Sequence, residues 1–228
     1  MFVRPTTLLC SASLLVVCAS VALGGDTAPQ PGSTFQCWSF STPSLPQPPD
    51  PTPFFNPNGV PEFSIKGQPQ WFPEWPGVTG DTKQGVWCLR PQIPGVPPEL
   101  QDSLNFIIPN YDDPDPKVIT VQYKWWIGTG IQPAGGAVSV ILPDGTPFTS
   151  LAGSTVPDLP DHPGWLITTH TISLDFCPPF EEIKIFNNPD NPMPLYVDWV
   201  CIDTICIPSP GAAGLASLGG LMLLRRRR

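Results

Sequence analysis

Side chains able to carry acid–base or nucleophilic chemistry are few in this 228-residue chain, and they form no recognisable catalytic motif. The two histidines are His162, in a proline-rich turn, and His170, on the apolar face of a predicted strand. Ser150 and Ser154 lie near His162 in sequence, but nothing around either serine resembles a hydrolase motif. Glu181 and Glu182 are adjacent, so on a strand they face opposite sides and do not make a glycosidase carboxylate pair. We therefore expect a protein that is not an enzyme.

Two loops concentrate oxygen ligands. Asp112, Asp113 and Asp115 lie in the first, and residues 187–191 (Asn-Asn-Pro-Asp-Asn) form the second. Carboxylate and amide oxygens suit calcium, and the aspartate loop is the candidate site. The same residue types beside proline are also ordinary turn formers. Structural calcium and simple turns are thus both open, and the sequence indicates no other cofactor.

Exposed aromatic rings are the third candidate chemistry. Trp71, Phe72 and Trp75 lie in a segment broken by prolines, residues 70–77, which we predict to be a loop. Trp126 lies opposite the buried face of its predicted strand. Such rings can stack on the apolar faces of sugars, or they can simply cover the end of a β-sandwich. Three other tryptophans fit the core by strand position, namely Trp87, Trp125 and Trp199, whereas Trp38 and Trp165 fit either environment.

Five cysteines fall between the two ends of the chain: Cys37, Cys88, Cys177, Cys201 and Cys206. Outside the cytoplasm thiols tend to pair, so we expect two disulfides and one remaining cysteine. The sequence cannot choose among the pairings. No CxxC spacing supports a zinc site.

The elements that must position these residues are strands. Ile119, Val121, Tyr123 and Trp125 alternate with polar residues, which predicts a strand with one buried face. Residues 195–207 are apolar on both faces, as in a central strand or one with a bulge. Other strand segments are predicted at residues 35–40, 62–66, 86–89, 104–108, 138–142, 170–176 and 183–185. The fold class is therefore all-β, a single antiparallel β-sandwich of jelly-roll type.

The 34 prolines mark the domain organisation. They are densest in residues 42–58, which we predict to be an extended polyproline-like arm. We divide the chain into a signal peptide (1–24), an N-terminal strand with the arm (25–58), the sandwich (59–207, together with the strand at 35–40) and a tail (208–228). Residues 25–207 contain all 19 acidic residues and only six basic ones, a net charge of −13 that argues against nucleic acid as a partner.

The two ends of the chain carry transport signals. Arg4 precedes an apolar run from residue 8 to residue 23 that is typical of a secretory signal peptide. At the other end, Pro208, Ser209 and Pro210 precede a short hydrophobic helix and four terminal arginines, Arg225, Arg226, Arg227 and Arg228. Guanidinium groups resist transfer across a bilayer, so this end would stay cytoplasmic while the body is exported.

This tail resembles the PEP-CTERM family of bacterial sorting signals, with Ser209 where that family usually has glutamate. The resemblance covers residues 208–228 only. It implies recognition by an exosortase-like processing enzyme, transient anchoring in the membrane by the C-terminus, and display at the cell surface or outside the cell.

A second resemblance concerns residues 196–203 (Tyr-Val-Asp-Trp-Val-Cys-Ile-Asp). They are similar to the closing strand of jelly-roll domains related to carbohydrate-binding modules. Three functional classes remain open from the sequence: an exported structural or interaction protein, a carbohydrate-binding module acting on envelope or extracellular polysaccharide, and a secreted hydrolase. We rank them in that order.

Overall fold

The computed structural model describes residues 32–52, 54–76, 82–97, 100–126, 135–158 and 164–207. These residues form thirteen strands and no α-helix. In chain order the strands are β1 (Ser33–Trp38), β2 (Phe54–Phe55), β3 (Glu62–Lys66), β4 (Gln70–Pro76), β5 (Thr82–Leu89), β6 (Ser103–Pro109), β7 (Lys117–Trp126), β8 (Gly136–Ile141), β9 (Pro147–Ser150), β10 (Ser154–Pro157), β11 (Trp165–Leu174), β12 (Phe180–Asn187) and β13 (Leu195–Cys206).

The strands make two antiparallel sheets. The larger has eight strands, with β10-β11-β7-β13-β1-β2 as its main order and with β5 and β4 added beside β13. The smaller has five, in the order β3-β6-β12-β8-β9. From β6 onward the chain repeatedly crosses between the sheets, as in β6 to β7 to β8 and in β11 to β12 to β13. The predicted jelly-roll-like β-sandwich is confirmed, although with more strands than the nine segments that the sequence predicted, because strands as short as β2 show no measurable period.

β13 is the central strand of the larger sheet, as its two apolar faces predicted. It pairs with β7 along one edge and with β5 and then β1 along the other. The register shifts between Val197 and Trp199, which is the predicted bulge. One expectation for this strand is wrong: Trp199 is only partly buried, because the bulge changes which face it occupies. Val200 and Ile202, just beyond it, are fully buried.

The core lies between the sheets and is rich in aromatic rings. Trp38, Phe63 and Phe106 pack against one another, with ring centroids 4.7 Å apart for Trp38 and Phe106 and 5.1 Å apart for Phe63 and Phe106. Trp87 and Trp125 are buried as predicted. Of the two tryptophans left open by the sequence, Trp38 and Trp165, both are buried.

Among the five cysteines of the described residues, two disulfides form and one cysteine remains free, as expected. Cys37 in β1 bonds to Cys201, its direct partner in the β1–β13 ladder, and Cys177 bonds to Cys206 at the end of β13. The free cysteine, Cys88, is buried on β5, and burial raises the pKa of its thiol. Disulfides are typical of oxidising compartments, which agrees with an extracellular or surface protein.

The proline-rich segment 42–58 contacts the sandwich at several points. Gln47 makes a β-bridge with Phe63, and the Asp50 N–H donates to the Cys37 carbonyl at 2.7 Å. Asn56 donates to the Pro109 carbonyl at 3.1 Å. The segment is therefore bound along the sandwich at these points.

The predicted signal peptide, the sorting residues 208–210 and 225–228, and His162 all lie outside the described residues. Within the described part of the chain, no helix is long and apolar enough to cross a bilayer.

Candidate ligand-binding surface

Four aromatic rings from three strands meet on the larger sheet. Trp75 stacks on Tyr196 with centroids 4.1 Å apart and planes 22° apart, and Trp126 contacts both rings edge-on at 5.7 Å. Phe72 contacts Trp75 at 5.1 Å and Tyr196 at 6.3 Å. Each of the four side chains is partly exposed. We call Phe72, Trp75, Trp126 and Tyr196 the aromatic platform.

Strand pairing explains how the platform forms. Tyr196 of β13 lies directly opposite Trp126 of β7 and, on its other side, opposite Cys88 of β5. Residues opposite one another in a ladder point to the same face, so Tyr196 and Trp126 share the side turned away from the core. β4 pairs with β5 and carries Phe72 and Trp75 to the same place.

The segment 70–77 was expected to be a loop, and this is wrong, since residues 70–76 form β4. The β4–β5 ladder is interrupted where Pro73 faces Gly85, because proline has no N–H to donate and Gly85 has a φ of +77°. A strand that contains a proline and pairs irregularly shows no clear alternation of apolar and polar residues. The sequence therefore gave no sign of a strand at residues 70–76.

The structure also separates Trp71 from the other predicted platform residues. Trp71 lies opposite Trp87, packs against the hydrophobic core, and donates from Nε1 to the Phe40 carbonyl at 3.0 Å. It is therefore a packing residue of the inner face. Tyr196 takes the fourth position in the platform. Sequence reasoning missed it, although its alternation with the buried Val197 was a usable signal.

Charged groups lie on the same face as the platform. Lys124 is two residues before Trp126 on β7, so the two side chains point to the same side of the sheet. Its ammonium group lies 2.7 Å from Asp158 and 3.5 Å from Asp198, and 5.5 Å from the centre of the Trp165 ring. Burial raises the pKa of Asp198, while Lys124 acts against that shift. These three charged side chains are paired with one another and are at most 13% exposed, so they form a buried ion cluster on this side of the sheet.

A cleft of about 530 Å³ lies elsewhere on the molecule, where β10 and β11 approach the start of β8. Trp125, Leu151 and Leu166 supply its apolar wall, and Thr168 and Asp190 are among its polar groups. Only one of its lining side chains is aromatic, so it offers less stacking surface than the platform.

The candidate calcium site receives no support. Asp112, Asp113 and Asp115 are all described, yet no group of three or more His, Cys, Asp or Glu side chains in the described residues is placed to hold a metal. Instead, Asp113 accepts a hydrogen bond from the backbone N–H of Asp115 at 2.8 Å, as a turn-forming aspartate does.

The second oxygen-rich loop, residues 187–191, also uses its side chains internally. Asn187 donates to the Met193 carbonyl at 2.7 Å and accepts from Asn191 at 2.8 Å. Asn188 donates to the Leu151 carbonyl at 2.8 Å. These amides stabilise the turn between β12 and β13.

His170 is buried and hydrogen-bonded at both ring nitrogens. Nδ1 lies 3.0 Å from the Ser150 hydroxyl, and Nε2 lies 3.3 Å from the Tyr123 hydroxyl, which donates to the Gly136 carbonyl at 2.7 Å. The imidazole is 1 % exposed, and burial lowers its pKa to about 4. These contacts support a structural imidazole. Glu181 and Glu182 point to opposite faces as expected, with Glu181 fully buried.

This burial predicts an acid-sensitive contribution from His170. Its native pKa lies below the usual value of 6.5, so the unfolded chain binds the proton more readily. Stability from this residue is therefore present above about pH 6.5 and is lost as pH falls towards 4, by up to about 3 kcal/mol. Urea unfolding of the wild type and of His170→Gln should show a stability difference that shrinks between pH 7 and pH 4.5. A difference independent of pH would contradict the buried neutral imidazole.

The comparison with the variant is needed because Glu181 acts in the opposite direction. Burial raises its pKa to about 7, so its contribution falls as pH rises from about 4.5 to 7. That contribution is common to both proteins and cancels in their difference.

Comparisons with known proteins found structural neighbours of low sequence identity. No protein-family model matches the chain, and no curated protein is similar to it in sequence. Among solved structures, a CBM4 protein is 14% identical over 70% of this chain and 92% of its own, with a TM-score of 0.36. A mannan-recognising carbohydrate-binding module, TmCBM27, is 11% identical over 75% of this chain and 97% of its own, with a TM-score of 0.34. The C-terminal CBM6 of the laminarinase LamC from Zobellia galactanivorans is 13% identical over 61% of this chain and 98% of its own, with a TM-score of 0.29.

Proposed function

We propose that this β-sandwich binds polysaccharide outside the cell and that the aromatic platform is its sugar-contacting surface. The observation that carries the proposal is the meeting of Phe72, Trp75, Trp126 and Tyr196, all partly exposed, on the side of the larger sheet turned away from the core. Soluble domains normally place such rings in the core, so a cluster of four at the surface favours a ligand.

The chemistry of the surface fits a sugar. Pyranose rings present C–H groups on their faces, which pack against aromatic rings, and hydroxyls at their edges, which need donors and acceptors. The aromatic platform supplies the apolar surface for the ring faces. The net charge of −13 over residues 25–207 repels acidic polymers, so the preferred ligand is a neutral polysaccharide.

Replacing Trp75 by alanine tests the proposal, because Trp75 contacts every other ring of the platform. We expect the dissociation constant for the best neutral polysaccharide to rise at least about tenfold, as for a central aromatic anchor. Affinity electrophoresis of the full chain against a panel of glucans, mannans and xylans would measure it.

Trp71→Ala is the matched control, since it removes the same ring from the same strand. Trp71 packs against the core and lies on the opposite side, so the variant should lose stability while its folded molecules keep their affinity. Equal loss of affinity in both variants, or no binding to any glycan of the panel at millimolar sugar concentration, would contradict the proposal.

Export is part of the same proposal. The signal peptide and the PEP-CTERM-like tail would deliver the sandwich to the surface with the help of an exosortase-like enzyme, and the two disulfides support an oxidising destination. A second candidate is a displayed structural protein without a glycan ligand. The observation favouring it is that both disulfides link β13 to other parts of the sandwich, through Cys201 and Cys206.

A further inference from the structure

A lysine, a glutamate and an asparagine meet inside the sandwich. Lys117 Nζ lies 2.9 Å from Glu181 Oε2, and both side chains are fully buried. Asn110 Nδ2 donates a hydrogen bond to the same carboxylate oxygen. One oxygen of Glu181 therefore contacts both an amine and a primary amide.

These residues come from different parts of the fold. Asn110 follows the last residue of β6 in the smaller sheet, Lys117 is the first residue of β7 in the larger sheet, and Glu181 lies on β12. The Asn110 N–H donates to the Pro179 carbonyl at 2.8 Å, which fixes the chain at this point beside the start of β12. The three side chains thus meet where the two sheets are joined.

Burial favours the uncharged forms of both Lys117 and Glu181. It raises the pKa of Glu181 to about 7, with Lys117 opposing that shift, and it lowers the pKa of Lys117. A buried ion pair costs several kcal/mol in desolvation for each ion, so the form with a neutral amine and a protonated carboxyl becomes accessible. A neutral lysine amine is a nucleophile.

The side-chain carbonyl of Asn110 at the same time accepts a hydrogen bond from one hydroxyl group. Thr204 Oγ1 donates to Asn110 Oδ1 at 3.4 Å, and Thr204 is itself 2.8 Å from the Thr34 hydroxyl. Both threonines are buried, at 0% and 1% exposed. A donor at this oxygen stabilises the negative charge that develops when the amide carbon is attacked.

We propose that Lys117 and Asn110 form an intramolecular isopeptide bond, with Glu181 as the proton-transfer group. The neutral Nζ of Lys117 attacks Cγ of Asn110, and a new C–N bond forms. Glu181 gives its proton to Nδ2 as the Cγ–Nδ2 bond breaks, and it takes up the proton that Nζ loses. Ammonia leaves, and the products are a secondary amide and an unchanged carboxyl group. The step needs no oxidant, metal or energy source.

The bond would tie the end of β6 to the start of β7 and so join the two sheets covalently. Lys117 lies opposite Cys206, which is already bonded to Cys177. The isopeptide bond and this disulfide would reinforce the same corner of the sandwich. Because the closed loop is short, the gain in unfolding free energy is small, and the main effect is to prevent separation of the sheets at this corner.

Peptide mapping of the full chain gives a direct test. Trypsin does not cut before proline, so the unmodified protein, after reduction and alkylation, yields a peptide of residues 84–117. The isopeptide bond blocks cleavage at Lys117, and the product becomes residues 84–124 with a mass about 17 Da below that of the linear peptide. We expect this lighter peptide to account for most of the protein. Complete recovery of unmodified 84–117 would overturn the proposal.

Variants separate the reaction from a missed cleavage. Asn110→Ala, at a partly exposed position, must abolish the mass deficit in the 84–124 peptide. Glu181→Gln keeps the shape of the buried side chain but cannot shuttle the proton, so the fraction of protein that carries the mass deficit should fall at least tenfold. Glu182→Gln on the same strand should behave as wild type. The Cys37–Cys201 disulfide, detected in the same digest without reduction, shows that each variant is folded. A folded Glu181→Gln protein with the full deficit would overturn the role of Glu181.

Discussion

Replacing Gly85 by alanine is expected to destabilise the sandwich by at least about 4 kcal/mol, which is exceptional for one methyl group. Gly85 has a φ of +77°, and a Cβ there would lie 1.9 Å from the Phe40 carbonyl oxygen and 2.5 Å from its carbon. The obstructing atoms are backbone, so no rotamer change relieves the overlap. Phe40 is itself fully buried with a φ of 53°, and its carbonyl accepts the Trp71 indole. Urea unfolding followed by tryptophan fluorescence would measure the loss.

Gly145→Ala is the control that isolates the steric contribution. Gly145 has a φ of +85°, but nothing lies within 4 Å of the added Cβ. This substitution should cost only the left-handed backbone strain, about 1 to 2 kcal/mol. If the two variants were destabilised equally, the close approach of β5 to Phe40 would be wrong.

Removing the Cys37–Cys201 disulfide should cause the second large effect. The bond joins residues 164 apart in sequence, so it restricts most of the unfolded chain. The chain-entropy relation gives a stabilisation of about 5 kcal/mol for that separation. The double variant Cys37→Ala/Cys201→Ala should lose stability of this order in urea unfolding under oxidising conditions.

The second disulfide provides the matched comparison. Cys177 and Cys206 are 29 residues apart, for which the same relation gives about 3.6 kcal/mol. We expect Cys177→Ala/Cys206→Ala to be the less destabilised double variant. The reverse order would show that restriction of the unfolded chain does not determine which disulfide stabilises the protein more.

Much of the fold could be predicted because strand patterns are local. Alternation in β7 and in the strand around His170 revealed which faces are buried, and the doubly apolar 195–207 segment was correctly assigned as central and bulged. The count of disulfides also followed from composition and compartment. β4 escaped prediction because a proline and an interrupted ladder remove the alternation on which such reasoning depends.

The candidate site was only partly predictable. Phe72, Trp75 and Trp126 were identified by type and exposure, but Trp71 turned inward and Tyr196 joined the cluster, since the pairing of β4, β5 and β13 decides which rings meet. Nothing in the sequence connected Lys117 with Glu181, which are 64 residues apart.

The sequence by itself determined that this chain is an acidic, all-β protein with two disulfides. It also determined, through the alternation of apolar and polar residues, that its strands have one buried face. Only the tertiary structure decided which cysteines bond, which rings form the platform and which polar groups are enclosed together. The physical reason is that alternation and turn formation depend on neighbouring residues, whereas register and the crossing of the chain between sheets depend on the packing of the whole core.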